Sequence, residues 1–252
     1  MSTIKKIFYV LAVMLGCFSL VSKAENVRIM TYNIRNGVGM DNQRDLSRIV
    51  SCINAQEADI VAIQELDSLT ARSGGKYVLG ELALQTGMTP YYAPAINFNG
   101  GKYGIGILTK KKPENVKQVS LPGREESRTM LILEFDDYAV ANLHLSLTPE
   151  DALSSVEIIE NEAKNLFPKP FVVMGDFNSE PDSEVIKKLG ETFQVIGDLS
   201  IKTYPADFPT ERIDYILVSN SSEISATGTT VIEEKLASDH RPIVTDICFP
   251  SK

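Results

Sequence analysis

The chain of 252 residues sets 25 Lys+Arg against 33 Asp+Glu, a net charge of −8, with 43% apolar residues, three Cys and no Trp. That apolar share is enough for one large core and excludes a disordered or low-complexity chain, and so few cysteines exclude a disulfide scaffold. The acidic balance excludes a grip on long nucleic acid through overall charge, although a local basic groove is compatible with a negative total.

At the N-terminus Lys5 and Lys6 precede an apolar run from Ile7 to Val21, followed by Ser22-Lys23-Ala24 and Glu25. This is the layout of a secretory signal peptide, and the run falls short of the ~20 residues a spanning helix needs. Residues 1–24 are therefore expected to be a signal peptide cleaved after Ala24, with residues 25–252 forming the mature domain. The protein is expected outside the cytoplasm, periplasmic or extracellular, with no stable membrane insertion. Cys17, after Gly16, offers a lipoprotein as the alternative, and the apolar residues that follow it argue against lipidation. Removal of Lys5, Lys6 and Lys23 leaves 22 basic residues against 33 acidic ones, a mature charge of −11. Cys52 and Cys248 sit among apolar residues and are expected to be buried free thiols.

Onward from Glu25, short apolar runs predict strands over Val27–Tyr32, Ile60–Gln64, Tyr103–Leu108, Arg128–Phe135, Tyr138–Leu145, Phe171–Met174, Ile213–Val218 and Ile243–Phe249. Amphipathic spacing predicts helices over Arg44–Ala55, Lys76–Thr86, Pro149–Phe167 and Ser183–Leu189. The third has a complete start signal, with Thr148 as N-cap, Pro149 in the first helical position, and Glu150 and Asp151 complementing the helix dipole. Asp136-Asp137 between two runs reads as a tight hairpin turn. No linker or repeat divides the chain, so the expectation is one α/β domain with mixed sheets.

Residues with ligand or acid/base chemistry recur where an apolar strand ends: Asn33, Glu65, His144, and Asp176 with Asn178. Each alone has a structural explanation, since Asn and Asp bond their own turns. Glu65 is harder to explain so, because alternation puts it on one face with Ile63 and Val61, where an unpaired carboxylate is costly without a cation. His144 alternates onto the face of Asn142 and Val140, and His240, the other of the two histidines, directly follows Asp239. Their joint occurrence favours acid/base work over two satisfied structural histidines. An Asn, a Glu and several Asp form a hard, oxygen-rich set suited to Mg²⁺, Mn²⁺ or Ca²⁺ rather than zinc. Asp67, Asp246 and the run Lys110-Lys111-Lys112 read as solvated or structural.

Thr31-Tyr32-Asn33-Ile34, Gln64-Glu65, Asn142-Leu143-His144-Leu145, Gly175-Asp176-Phe177-Asn178, Arg212-Ile213-Asp214-Tyr215-Ile216 and Ser238-Asp239-His240-Arg241-Pro242 resemble, in order, the motifs of the endonuclease/exonuclease/phosphatase superfamily. The resemblance implies a four-layer α/β/β/α sandwich of two mixed sheets flanked by helices. It implies Glu65 as the main metal ligand, helped by Asn33 and Asp239, with Mg²⁺ (or Mn²⁺/Ca²⁺) as cofactor. Asp176 and Asn178 would orient water and phosphate, His240 paired with Asp214 would act as base or transition-state donor, and His144 would serve the leaving oxygen. His144 makes the chain more similar to the deoxyribonuclease I and sphingomyelinase branches than to apurinic endonucleases. Tyr103-Gly104-Ile105-Gly106-Ile107 departs from deoxyribonuclease I-like members, which supply a carboxylate partner for that histidine there. Arg35, Lys102 and Arg128 are candidate phosphate contacts.

The expected activity is hydrolysis of a phosphate ester by in-line attack of water, in a monomer. A secreted nuclease acting on DNA or RNA is the alternative, and a non-catalytic binding protein on the same scaffold is disfavoured by the intact motifs. The absence of Trp argues against a membrane-active lipid phosphodiesterase. The stretch from Gly74 to Asn99 is expected to shape substrate access.

Overall fold

The computed structural model describes residues 25–220 and 224–250, so the expected signal peptide lies outside the described residues. In order the chain forms β1 (Glu25–Asn33), α1 (Leu46–Gln56), β2 (Ile60–Ser68), α2 (Val78–Thr86), β3 (Thr89–Phe98), β4 (Gly101–Thr109), β5 (Asn115–Leu121), β6 (Arg128–Glu134), β7 (Ala139–His144), α3 (Pro149–Leu166), β8 (Phe171–Asp176), α4 (Glu184–Thr192), β9 (Phe193–Val195), β10 (Asp214–Ser219), β11 (Ser225–Val231) and β12 (Ile243–Phe249).

The strands build two six-stranded mixed sheets, ordered β11-β12-β1-β2-β4-β3 and β5-β6-β7-β8-β10-β9. Each sheet holds one parallel pair near its centre, β1 with β2 and β7 with β8, and each pair is joined through a helix, α1 or α3. All other pairings are antiparallel. The two sheets therefore repeat one design. Alternation along the strands sends one set of side chains between the sheets and the other toward the helices. Ile29, Ala62, Val140 and Met174 lie fully buried between the sheets. Met30 and Val61 pack instead under α1 and α2 with Ile49, Ile53 and Leu79, and Ala141 and Val173 pack under α3 and α4 with Val156, Ile159 and Ile186. This is the expected four-layer sandwich. Each large apolar side chain so buried contributes roughly 1.5–3 kcal/mol, which makes the strand ends a rigid platform.

Local chemistry sets the element ends. Asp45 takes an extended cap conformation and accepts from the Ser47 N–H, so α1 starts after Asp45 rather than at Arg44, and Glu57 ends the helix in the left-handed region at φ 53°. Ser183 caps α4 by accepting from the Ile186 N–H, and the helix runs on to Thr192, past the expected Leu189. Thr148 occupies the N-cap position of α3, but its hydroxyl donates to Glu125 Oε2 at 3.0 Å instead of capping the helix. The Asp136-Asp137 turn joins β6 to β7 as expected, with the Phe135 N–H donating to the Tyr138 carbonyl.

Other expectations need correction. β3, β5, β9 and β11 were not anticipated. Tyr91-Tyr92-Ala93-Pro94, within the stretch expected to shape access, is part of β3. β2 runs on to Ser68, and a register shift between Ile63 and Leu66 sets Glu65 at a bulge with φ 59°. Glu65 therefore leaves the face of Ile63 and Val61 that alternation assigns to it. Asp67 is fully buried and takes a two-point contact from Arg72, so its role is structural and not that of a solvated carboxylate. Asp246 pairs with Arg28 at 2.9 Å. Cys52 is buried as expected, whereas Cys248 is only half-buried, and both are free thiols.

Candidate active site

β1 with β2 and β7 with β8 each run parallel, and the Asn33–Asp176 hydrogen bond shows that their C-terminal ends meet at one end of the sandwich, across the gap between the sheets. Asn33 closes β1, the Gln64-Glu65 bulge lies just beyond the parallel section of β2, and His144 and Asp176 close β7 and β8 as register partners. β10 is antiparallel to β8, so its first residue, Asp214, pairs with Asp176. Ser238, in the loop before β12, donates through its hydroxyl to the Asn33 carbonyl and holds Asp239 and His240 at the same place. Gly175 permits the close strand approach: at φ 149°, a Cβ there would lie 2.0 Å from the Leu143 carbonyl oxygen.

Asp176 stands at the centre. The Asn33 side-chain amide donates to Asp176 Oδ2 at 2.9 Å and to Glu65 Oε1 at 3.2 Å, which links the sheets. The same Asp176 Oδ2 lies 3.5 Å from His144 Nε2 and 3.7 Å from His240 Nε2. The far nitrogen of His240, Nδ1, meets Asp214 at 2.9 Å and 3.2 Å. Asn178 donates through its backbone N–H to Asp176 Oδ1 and through its side chain to the Leu145 carbonyl, both at 2.9 Å, and so ties the ends of β7 and β8.

Burial and charge push the titrating groups apart. Glu65 is raised above the usual carboxylate range, first by burial and then by the charges of Asp239 and Asp176, with the Asn33 hydrogen bond pulling the other way. Burial drives His144 down to about 4, outweighing Asp176, and the Arg128 charge adds to the depression. Burial would lower His240 too, but Asp214 and Asp176 prevail and hold it up to about 10. At neutral pH His144 is therefore an uncharged ring and His240 a cation.

Glu65 lies buried within electrostatic reach of Asp239 and Asp176. Hard oxygen donors crowded in this way suit a Mg²⁺-type ion, which would relieve their repulsion. Asp176, Asp214 and His240 offer a second grouping, with one donor atom each all within 4.8 Å of one another. There the His240–Asp214 hydrogen bond already engages two of the three, which leaves the Glu65 group as the candidate cation locus.

Of the candidate phosphate contacts, Arg128 is 7% exposed and forms ion pairs with Glu126 at 3.2 Å and Glu125 at 3.6 Å. Its Nε has no hydrogen-bond partner among the described residues, and its charge reaches His144, so Arg128 lies inside the fold within electrostatic reach of that histidine. Arg35 lies 3.4 Å from Asp239, at the rim. Lys102 is exposed, on β4 beyond the Glu65 bulge.

Sequence reasoning gave no site role to four residues. Gln64 donates to Asn142 Oδ1 at 2.6 Å across the sheets, while Asn142 donates to the Ile63 and Gly106 carbonyls, and this buried bridge lies beneath the carboxylates. The Tyr204 ring packs on His240 with centroids 4.9 Å apart. Glu125 accepts from the Ser146 and Thr148 hydroxyls and the Leu147 N–H, which fixes the chain just after His144. Only the polar Gln64 and Asn142 on otherwise apolar strands gave a signal.

The family model described as Endonuclease/Exonuclease/phosphatase family matches residues 30–240, from the end of β1 through His240. The chain belongs to this family. Its members are hydrolases of phosphate esters, and the two-sheet sandwich is the family's architecture. Uncharacterized protein YbhP of Escherichia coli is 24% identical over 242 residues, covering 87% of this chain and 95% of the relative. Among solved structures, the endonuclease/exonuclease/phosphatase from Bacteroides vulgatus superposes with a TM-score of 0.71 at 19% identity, over 90% of this chain and all of that one. The mannosyl-6-phosphatase of Bacteroides thetaiotaomicron superposes with a TM-score of 0.68 at 15% identity, over 88% of this chain and all of that one. No helix among the described residues is long and apolar enough to cross a membrane.

Proposed function

We propose that the protein is an exported, divalent-metal-dependent hydrolase of small phosphate esters, attacking phosphorus with water in line with the leaving oxygen. The observation that carries this is the convergence on Asp176 Oδ2 of the Asn33 amide and both histidine Nε2 atoms, with Glu65 on the same Asn33 side chain. Glu65, with Asp239, would hold a Mg²⁺ or Mn²⁺ ion, which would supply Lewis-acid neutralisation of the phosphoryl oxygens, while the Asn33 amide donates to Glu65 and Asp176 and so positions the ligands rather than joining them. Asp176, steadied by Asn33 and the Asn178 N–H, orients the attacking water. His240, its Nδ1 occupied by Asp214, presents Nε2 as a charged donor toward the phosphoryl group. His144 presents Nε2 from the opposite histidine position and serves the leaving oxygen, and Arg128, with its Nε unpartnered, receives a phosphate oxygen.

Two observations favour a small ester over long nucleic acid: the mature charge of −11, and the surrounding of most site arginines by carboxylates. The similarity to a mannosyl-6-phosphatase agrees with a small substrate. Export rests on the Lys-flanked apolar segment and Ser22-Lys23-Ala24, and N-terminal sequencing of exported protein is expected to read Glu25 first. The deciding experiment is a panel of phosphomonoesters, phosphodiesters and DNA assayed with Mg²⁺, with Mn²⁺ and with EDTA. Turnover of a small ester that EDTA abolishes and Mg²⁺ restores supports the reading, and full turnover in metal-free buffer refutes it.

A further inference from the structure

Beyond the Glu65 bulge, β2 carries a second buried carboxylate, and its charge is overmatched. Asp67 is fully buried and receives the Arg72 Nε at 2.8 Å and Nη2 at 2.9 Å. Arg44 Nη1 lies 3.9 Å from the same carboxylate. Two guanidiniums thus share one anion, and Arg44 feels the repulsion of Arg72. Neither arginine is buried, with side chains 29% and 32% exposed.

Both side chains are held in place. The Arg72 guanidinium lies over Phe98, 4.4 Å from the ring centroid, and 5.3 Å from that of Tyr103. Arg44 donates to the Asn36 carbonyl and, at 2.6 Å, to Asn36 Oδ1. Fixed guanidiniums lose little entropy on meeting an oxyanion, and their forked donors suit phosphate or carboxylate oxygens. The position relative to the site is equally definite. Asp67 is two residues past Glu65 on one strand, about 7 Å along an extended chain. The Glu65 charge is felt at Arg72. The residues that follow Asp67, Ser68 and Leu69, line a cleft of about 570 Å³ together with Tyr92, Asn97 and Lys102.

We propose that Arg44 and Arg72, set on buried Asp67, form a second anion subsite that selects phosphate esters carrying another anionic group, a phosphate or a carboxylate, beside the scissile one. This rests on the hydrolase reading and adds a substrate class to it. A pair of arginines that only braced two loops would affect stability, not the preference between ligands.

The test compares 1,3-propanebisphosphonate with propylphosphonate by calorimetric titration of the Mg²⁺-supplied protein, with thermal melts run on every variant. The wild type is expected to bind the bisphosphonate at least about tenfold more tightly. Arg44→Gln, which leaves the Asp67–Arg72 pair in place, should reduce that preference about tenfold, and Arg72→Lys, which keeps the charge but loses the fork, should also reduce it. Lys187→Gln, the same charge change on α4, should leave the preference intact. Phosphonocarboxylates in place of the bisphosphonate separate the two anion types. An active wild type with no bisphosphonate preference overturns the subsite alone, as does an Arg44→Gln protein whose melting point falls with the preference unchanged. A Lys187→Gln effect as large as that of Arg44→Gln also overturns it. A wild type that neither hydrolyses any phosphate ester nor binds either phosphonate overturns the hydrolase reading itself.

Discussion

The side-chain amide of Asn33 donates to Glu65 Oε1 at 3.2 Å and to Asp176 Oδ2 at 2.9 Å, so one –NH₂ group spaces a carboxylate of the first sheet from a carboxylate of the second. Its Oδ1 accepts from the Arg35 N–H at 3.0 Å, which fixes the orientation of the amide. Asn33→Asp keeps the shape, removes both donors and brings a further negative charge into a buried space. The expected loss is on the order of 2 kcal/mol in metal-free buffer. Because the added charge is one a cation relieves, Mg²⁺ should raise the melting temperature of Asn33→Asp more than that of the wild type. Thermal melts with and without Mg²⁺ decide it, and equal metal-induced shifts would show that Asn33 does not border the cation locus.

His240 and Asp214 should act as a unit. The carboxylate fixes which ring nitrogen bears the Asp-facing proton and leaves Nε2 directed toward Asp176. His240→Ala and Asp214→Ala should each reduce kcat about 10²- to 10⁴-fold, and the double variant should be little worse than either. Losses that multiply in the double variant would separate the two residues.

The strand ends were legible in the sequence because apolar runs closed by Asn, Asp or His are local signals, and the parallel pairs then bring those ends together. The Glu65 bulge was not. Alternation predicts a side-chain face only while the register holds, and nothing in Gln64-Glu65-Leu66 announces the positive φ that breaks it. β3, β5, β9 and β11 were missed for another reason: β3, β5 and β11 lie at sheet edges, are half-exposed (β3) or mostly exposed (β5 and β11), and lack the continuous apolar runs of buried strands. β9 has only three residues. The Tyr204–His240 contact and the approach of Arg44 to the Asp67–Arg72 pair join segments distant in sequence, and pattern reading gives them no weight.

Glu125 should confer acid-sensitive stability. Partial burial would raise its carboxyl group, but donors from Ser146, Leu147 and Thr148 hold it down to about 2. A group depressed on folding stabilises the protein above its unfolded pKa, and that contribution is lost as pH falls toward the folded value. The melting-temperature gap between wild type and Glu125→Gln should therefore be full above about pH 5 and narrow steadily toward about pH 3. A gap that stays constant across that window would mean that Glu125 is not depressed by these bonds.

His144 should act on the leaving oxygen. Its Nε2 lies 3.5 Å from Asp176 Oδ2, His240 approaches the same oxygen from elsewhere, and burial keeps the His144 ring uncharged near neutral pH. An uncharged imidazole still donates one N–H, and a donor placed at developing negative charge accelerates reaction by about 10²- to 10³-fold. Its value depends on how much charge the departing oxygen must carry. An alkoxide leaving from an alkyl phosphate is a strong base and needs the donor. The p-nitrophenolate ion spreads its charge over the ring and needs it little. His144→Ala should thus reduce kcat/KM on an alkyl phosphate at least about tenfold more than on p-nitrophenyl phosphate. Asp176→Ala, which acts on the water common to both reactions, should impair the two substrates alike. Equal losses for His144→Ala on both substrates would move the residue from the leaving oxygen to the non-bridging oxygens, where leaving-group basicity has no influence.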